Sequence, residues 1–403
     1  MADAPIPLDD ALAIVRRVVR PIGGDESVPV ARALGLNLAE SVTAPRALPP
    51  FDNTAVDGYA FRHADLSDNP AILPLQGESA AGVPFSGALP QGVAIRISTG
   101  AVLPEGADTV AMQEDCRVEG GFVTIDPVPA KAANVRFTGG DIKVGDTALA
   151  TGHRLRPQDV ALLHALGVTE VRVKRRLKVA IAATGAELRE AGAELEAGQI
   201  VETNAAMLAQ LLGNHPADVT VLAALPDDRA ATERALAEAG DRFDLIVTTG
   251  GVSVGDHDHV RPALLSQGRV HFWRLQLRPG KPVLFGEIGR AVMLGLPGNP
   301  VSAMVTFLVV VLPAIRALLG APDEPAPGFL VPLAAAYRKP PRLREFPRAR
   351  LNAAGQAELY RDQSSNLLTS LAWADGILDL PVGPAEIQAG EMVIYRPFAA
   401  LLA

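Results

Sequence analysis

Between Asp244 and Val260 the chain reads Asp-Leu-Ile-Val-Thr-Thr-Gly-Gly-Val-Ser-Val-Gly-Asp-His-Asp-His-Val. Leu245 to Val247 form an apolar run suited to a buried strand, and the run breaks at Thr248-Thr249-Gly250-Gly251. Paired glycines at the carboxyl end of a strand let a ligand approach backbone N–H groups closely. Ser253 adds a hydroxyl, and Asp256 and Asp258 add carboxylates that suit a divalent cation. The stretch is a candidate anion and metal site, although alone it also reads as a strand with an ordinary glycine turn. Arg278-Pro279-Gly280-Lys281-Pro282 sets two cations on a proline-stiffened turn, a pattern for oxyanions or for a plain surface hairpin. Gly295-Leu296-Pro297-Gly298-Asn299-Pro300-Val301-Ser302 passes from strand through glycines into a helix start. Asn299 is placed as N-cap and Pro300 as first helical residue, so free N–H groups there would attract an anion.

These loops need elements to hold them. From Leu177 the sequence alternates strand and helix: strand 177–183 ending near Glu187, helix 205–212 capped by Thr203 or Asn204, strand 219–224 ending at Asp227, helix 229–239, strand 245–247, helix 259–266. Short strands at 271–277 and 283–285 follow. Such alternation specifies a mostly parallel sheet with helices on both faces, a doubly wound α/β domain. Its polar loops converge at one edge, gathering Glu187, Asp227, Ser253, Asp256 and Asp258. Residues 45–146 read differently, as an irregular β domain with three polar loops: Pro49–Ala60, Ser98–Ala101 and Asn134–Asp141. Asp, Asn, Gly and Pro dominate any turn, so each loop alone is also plain turn chemistry. Leu8 to Val19 and Leu155 to Leu166 read as helices, Ala31 to Ser41 as an extended or short mixed segment, and the basic run 171–178 as a phosphate patch or, in preference, a solvated connector. After the linker 321–327 the tail has short strands and turns and reads as a small β-barrel.

Composition excludes several classes. A net charge of −8 over 403 residues argues against broad nucleic-acid binding. A single cysteine, Cys116, leaves no disulfide framework. The N-terminus lacks a basic flank and apolar signal core, and Val301–Leu319 is interrupted by Ser302, Thr306, Pro313 and Arg316, so a buried helix and a cytoplasmic protein without a membrane span are expected.

Taken together, Pro49–Ala60, Thr99–Glu114, Asn134–Asp146, Thr184–Leu188, Thr248–Asp258, Pro279–Pro282 and Gly295–Ser302 resemble the molybdopterin molybdenumtransferases, the MoeA family, to which the gephyrin E domain is related. The motifs span most of the chain in order. The resemblance implies a multidomain α/β and β architecture in four parts: an elongated part of 1–44 with 147–177, an inserted β domain 45–146, an α/β domain 178–322 of the MogA/MoaB type, and a C-terminal β-barrel 323–403. It implies a homodimer in which the β insertion of one subunit faces the α/β domain of the other. The implied partners are the adenylyltransferase that makes the substrate and proteins that mature the cofactor further.

The implied reaction takes adenylylated molybdopterin and molybdate, releases AMP and inserts molybdenum into the dithiolene, with Mg2+ present. By motif position the resemblance assigns catalysis to Asp57, Thr99, Asp141, Glu187, Asp227 and Asp258. Substrate or anion binding falls to Arg136, Thr249, Gly250, Gly251, Ser253, Arg274, Arg278, Lys281, Pro297, Gly298, Asn299 and Pro300, and Mg2+ to Asp227, Asp256 and Asp258. Arg274 and Arg278 replace lysines common in the family, which keeps charge and changes hydrogen-bond geometry. Ala186 stands where an aspartate is common, and only Arg136 remains of a richer arginine loop. His257-Asp258-His259 suggests zinc, with no third ligand evident. A gephyrin-like scaffold and a molybdopterin adenylyltransferase are the competing readings.

Overall fold

A computed structural model describes residues 4–252 and 258–402. The α/β region is built on a six-stranded sheet: β1 (Leu177–Ala183), β2 (Ala217–Val221), β3 (Leu245–Thr249), β4 (Gly268–Trp273), β5 (Leu284–Ile288) and β6 (Ala291–Leu296), in the order β2-β1-β3-β6-β5-β4. The first four strands in that order run parallel, and the β5 and β4 edge runs antiparallel. Side-chain alternation splits the core in two. Val179, Ile181, Val247 and Leu294 face helices α1 (Leu8–Val18) and α3 (Asn204–Gly213) and the long apolar helix. Ala180, Ala182, Ile246 and Met293 face α4 (Arg229–Arg242) and α5 (Val260–Gln267). Burial on both faces explains why these strands read as continuous apolar runs. A further short helix, α2 (Pro157–Ala165), packs in the separate core of Val30, Leu38, Leu155 and Leu163.

The long apolar helix comprises α6 (Pro300–Thr306), a π-helical turn Phe307–Val311, and α7 (Leu312–Leu318). Pro313 has no N–H for the carbonyl one turn earlier, and the widened turn absorbs the missing bond. Among the described residues this is the one helix long and apolar enough to cross a membrane, and 78% of its most apolar window is buried inside the protein.

The β body carries a six-stranded sheet from Gly58–Phe61 to Phe122–Ile125. Its entry and exit meet, since the Ala44 N–H donates to the Asp146 carbonyl at 2.8 Å. In the C-terminal region five strands pair antiparallel. A bridge between Leu333 and Ala357 joins the two edge strands and closes the barrel.

The segment 31–41 is of the expected short mixed kind and opens inside a 3-10 turn, Val30–Arg32. Three local expectations need correcting. The tail also holds two short helices, α8 (Leu368–Trp373) and α9 (Phe398–Leu401). Thr203 occupies the N-cap of α3 without a capping bond, and Glu202 accepts the Ala205 N–H at 2.8 Å instead. The basic run is solvated only in part, with Arg172, Arg176 and Lys178 exposed. Lys174, Arg175 and Arg176 each lie 2.7 Å from a carboxylate, those of Asp25, Asp244 and Asp218, and so tie the first segment to the α/β sheet.

Candidate active site

The carboxyl ends of β1, β3 and β6 open into two contiguous clefts of about 610 and 400 Å³. Both are walled by Thr184, Glu187, Gly250, Gly251, Asp258 and Gly298. The turn after β3 requires glycine. Gly250 and Gly251 have φ of +83° and +65°, and a Cβ on Gly250 would meet the Thr184 hydroxyl at 2.5 Å. Thr249, Pro297, Asn299 and Pro300 also line the larger cleft, and Asp227 lines the smaller one beside His259, whose Nε2 lies 3.0 Å from the Asp227 carboxylate. The sheet thus brings together Glu187, Asp227, Asp258, Thr249, both glycines and the helix-start loop. Ser253, Asp256 and His257 lie outside the described residues.

The basic turn sits at the margin. Gly280 and Pro282 line the larger cleft, and the exposed Lys281 lies between them. Arg274 and Arg278 line neither cleft. The Arg274 guanidinium stacks 4.0 Å from the centre of the Trp273 ring, and Arg278 lies 3.5 Å from Glu345 of the barrel. Burial pushes the Glu345 carboxyl above its ordinary range, although Tyr337 donates to it at 3.0 Å and Arg278 favours its charged form.

The β body forms a separate polar cluster from its three loops. The Ala55 N–H donates to the Asn134 carbonyl, the Gly100 N–H to Thr54, and the Gly139 N–H to Pro49, so the loops interlock. Asp57 accepts the Thr99 N–H at 2.6 Å and the Thr99 hydroxyl at 2.9 Å. These two bonds, and then Arg96, hold its carboxyl below the usual carboxylate range. Arg136, opposite Asn53, and Asp141 are exposed on the same set of loops. Asp57, Thr99, Arg136 and Asp141 line neither α/β cleft of this protomer.

Residues 6–167 match the MoeA N-terminal region (domain I and II), residues 180–317 a probable molybdopterin binding domain, and residues 331–398 the MoeA C-terminal region (domain IV). The chain is 40% identical over 370 residues to a molybdopterin molybdenumtransferase of Haemophilus influenzae, covering 90% of this chain and 91% of that protein. The chain belongs to the MoeA family. Molybdopterin molybdenumtransferase 2 of Mycobacterium tuberculosis is 36% identical over 392 residues, covering 94% of this chain and 95% of that protein. The crystal structure of a molybdopterin biosynthesis moeA protein from Pyrococcus horikoshii OT3 superposes with a TM-score of 0.84 at 31% identity, covering 98% of this chain and all of that one.

Three residues of this MoeA site carry more than the sequence suggested. Asn204 reads as a helix cap, yet its amide N–H groups donate to the Thr249 hydroxyl at 2.8 Å and the Gly298 carbonyl at 2.7 Å. One buried side chain therefore spans the glycine loop and the helix-start loop. Asn299 is the N-cap of α6 without a capping bond, and its amide donates to the Ser365 hydroxyl at 2.9 Å. The Ser365 carbonyl accepts the Val301 N–H at 3.1 Å, so the barrel supplies the cap. Behind that loop, fully buried Arg348 donates to the carbonyls of Asp362 and Ser364 at 3.2 and 3.0 Å. No local signal marks these contacts, because each joins segments apart in the chain.

Proposed function

We propose that this protein, an enzyme that inserts molybdenum in molybdenum cofactor biosynthesis, acts on the adenylylated pterin with release of AMP. The observation that carries the reading is the single cleft edge at which Glu187, Asp227 and Asp258 meet the glycine loop and the start of α6. A diphosphate-bearing pterin needs N–H donors for its phosphate oxygens; the Gly250 and Val301 N–H groups are given to the carbonyls of Leu296 and Ser365, so the donors would come from the rest of the glycine loop and of the first turn of α6. Lys281, between two residues that line the larger cleft, adds positive charge at its rim for phosphate or molybdate, which enters as substrate; Arg278 and Arg274, which line neither cleft, share this role by motif position.

Mg2+ fits the donor set. Asp227 and Asp258 offer hard oxygen ligands, and among the described residues no group of three acidic, histidine or cysteine side chains is close enough to hold an ion alone. Such an arrangement suits a cation that takes one or two carboxylates and completes its shell with substrate phosphates and water. When bound, Mg2+ would offset charge on the diphosphate. Zinc would need a fuller imidazole or thiolate set.

Asp57, Thr99, Arg136 and Asp141 enter the reaction through the second subunit of a homodimer, the β body of one protomer facing the α/β cleft of the other. The division into 1–44 with 147–177, 45–146, 178–322 and 323–403 follows from that arrangement, with the β body as the arm that reaches across. The test is AMP release from adenylylated molybdopterin by the purified protein, with molybdate and Mg2+, alongside its mass in solution. Molybdate-dependent release by a dimer, lost in Asp227→Asn, is the expected result. Absence of release, or a monomer that turns over at full rate, overturns the reading.

A further inference from the structure

Trp273, at the end of β4, is 3% exposed and touches two parts of the site. Its indole N–H donates to the carbonyl of Val252 at 2.6 Å. Val252 ends the described glycine loop, lines the larger cleft and is itself 2% exposed. The bond therefore holds the loop at Val252, opposite the end held by Asn204 on Thr249. The same indole ring carries two cations, with the guanidinium carbon of Arg261 3.8 Å and that of Arg274 4.0 Å from the ring centre.

Arg274 is held at its backbone as well. Its φ is +91°, a left-handed conformation that a long side chain rarely adopts. Its N–H donates to Val283 and its carbonyl accepts the Ile6 N–H, both at 3.2 Å. Such a conformation persists only where surrounding contacts impose it. The following segment runs from Leu275 into the basic turn, and the Leu275 N–H ties it to the Lys281 carbonyl at 2.8 Å.

We propose that Trp273 is a positioning residue that couples the glycine loop to the basic turn, its N–H fixing where the loop offers donors and its ring face fixing Arg274 for an oxyanion. This rests on the reading of the cleft as the site of molybdenum insertion. The two functions of the side chain separate by substitution. Trp273→Phe keeps an aromatic face and loses the N–H; Trp273→Leu loses both. The loss of one buried hydrogen bond corresponds to about a tenfold effect.

The full-length protein has two tryptophans, so Trp373→Phe leaves Trp273 as the sole indole reporter. In that background, molybdate and AMP titrations should change the Trp273 emission. Among the variants, Trp273→Phe should lower kcat for AMP release about tenfold with molybdate affinity within twofold of the parent. Trp273→Leu should lower both kcat and molybdate affinity. An emission that does not respond, or a Trp273→Phe variant with unchanged kcat, overturns the proposal. So does an equal loss in both variants that tracks a lowered Tm. If the parent releases no AMP, the assigned reaction falls instead, and the emission and molybdate affinities still decide the role of Trp273.

Discussion

Arg348 is the perturbation with the most to reveal, because it is buried without a carboxylate in hydrogen-bond contact. Its side chain is 0% exposed and donates to the Ser370 hydroxyl at 3.1 Å and to the carbonyls of Asp362 and Ser364 at 3.2 and 3.0 Å. Burial pulls its pKa down to about 10, so it stays charged at neutral pH. Hydrogen bonds from a charged donor stabilise by about 1.5–3 kcal/mol each, roughly 5–9 kcal/mol for three. Desolvating the guanidinium costs several kcal/mol, which leaves a small net contribution to folding. Arg348→Met removes the bonds and the desolvation cost together. Global stability should therefore change by less than about 2 kcal/mol. The local effect is larger. Two carbonyls of the 362–365 loop lose about 3 kcal/mol of support, a shift of about a hundredfold in favour of loop opening. Ser365 then leaves Asn299 and the start of α6. The assay is amide exchange over 360–367 together with AMP release. Faster exchange confined to that loop, with kcat/KM down at least tenfold and a Tm near the parent's, is the expected result. Parental exchange with parental activity would refute the reasoning, as would global unfolding.

Three further outcomes follow from the geometry. Asn204→Leu orphans the Thr249 hydroxyl and the Gly298 carbonyl in a site where Asn204 is 7% exposed; it should cost about 2–4 kcal/mol in chemical denaturation and reduce AMP release in proportion. His215 is held neutral, its pKa pushed down to about 4 by burial and then by the positive charges of Arg154 and Arg316. The unfolded chain binds a proton below about pH 6.5 and the folded chain does not, so this stability is fully present above 6.5 and is lost as pH falls toward 4. The loss is roughly 3 kcal/mol, and His215→Phe should flatten that part of the stability–pH curve. Asp57 stays ionised through the mildly acidic range because its carboxyl is held low by Thr99. Asp57→Asn should lower AMP release at every pH above 5 without moving the acid limb of the profile, and a moved limb would assign that limb to Asp57.

What the sequence disclosed depends on how local the determining contacts are. The strand 177–183 has the same limits in sequence and structure, because from Val179 to Ala183 a parallel strand buried on both faces is a continuous apolar run, with only Lys178 exposed near its start. Pro300 reads as the first helical residue because its fixed φ and missing N–H suit that one position. The interlocked loops at Asp57, Thr99 and Asn134–Asp141 were visible only as three separate turns. What joins them is backbone bonding between segments, such as Ala55 to Asn134 and Gly100 to Thr54. Asn299 and Ser365 are 66 residues apart, and Asn204 and Thr249 are 45 apart. No periodicity links such pairs.

Arg274 shows the same limit from the other side. Its charge announces an anion site, yet what governs it is an indole, a second guanidinium and a left-handed backbone. A cation on a flexible stem loses orientational freedom each time it binds, whereas one held by stacking and by its own backbone has lost that freedom beforehand. The arginine at 274 also differs from lysine in this respect, since a planar guanidinium stacks on a ring. Substituting Arg274 by lysine restores the residue type common in the family but abandons the stack on Trp273. If Trp273 and Arg274 work as one unit, Arg274→Lys and Trp273→Leu should not be additive in molybdate affinity: the double variant should be no worse than the weaker single one. Additive losses would mean that the two residues act independently.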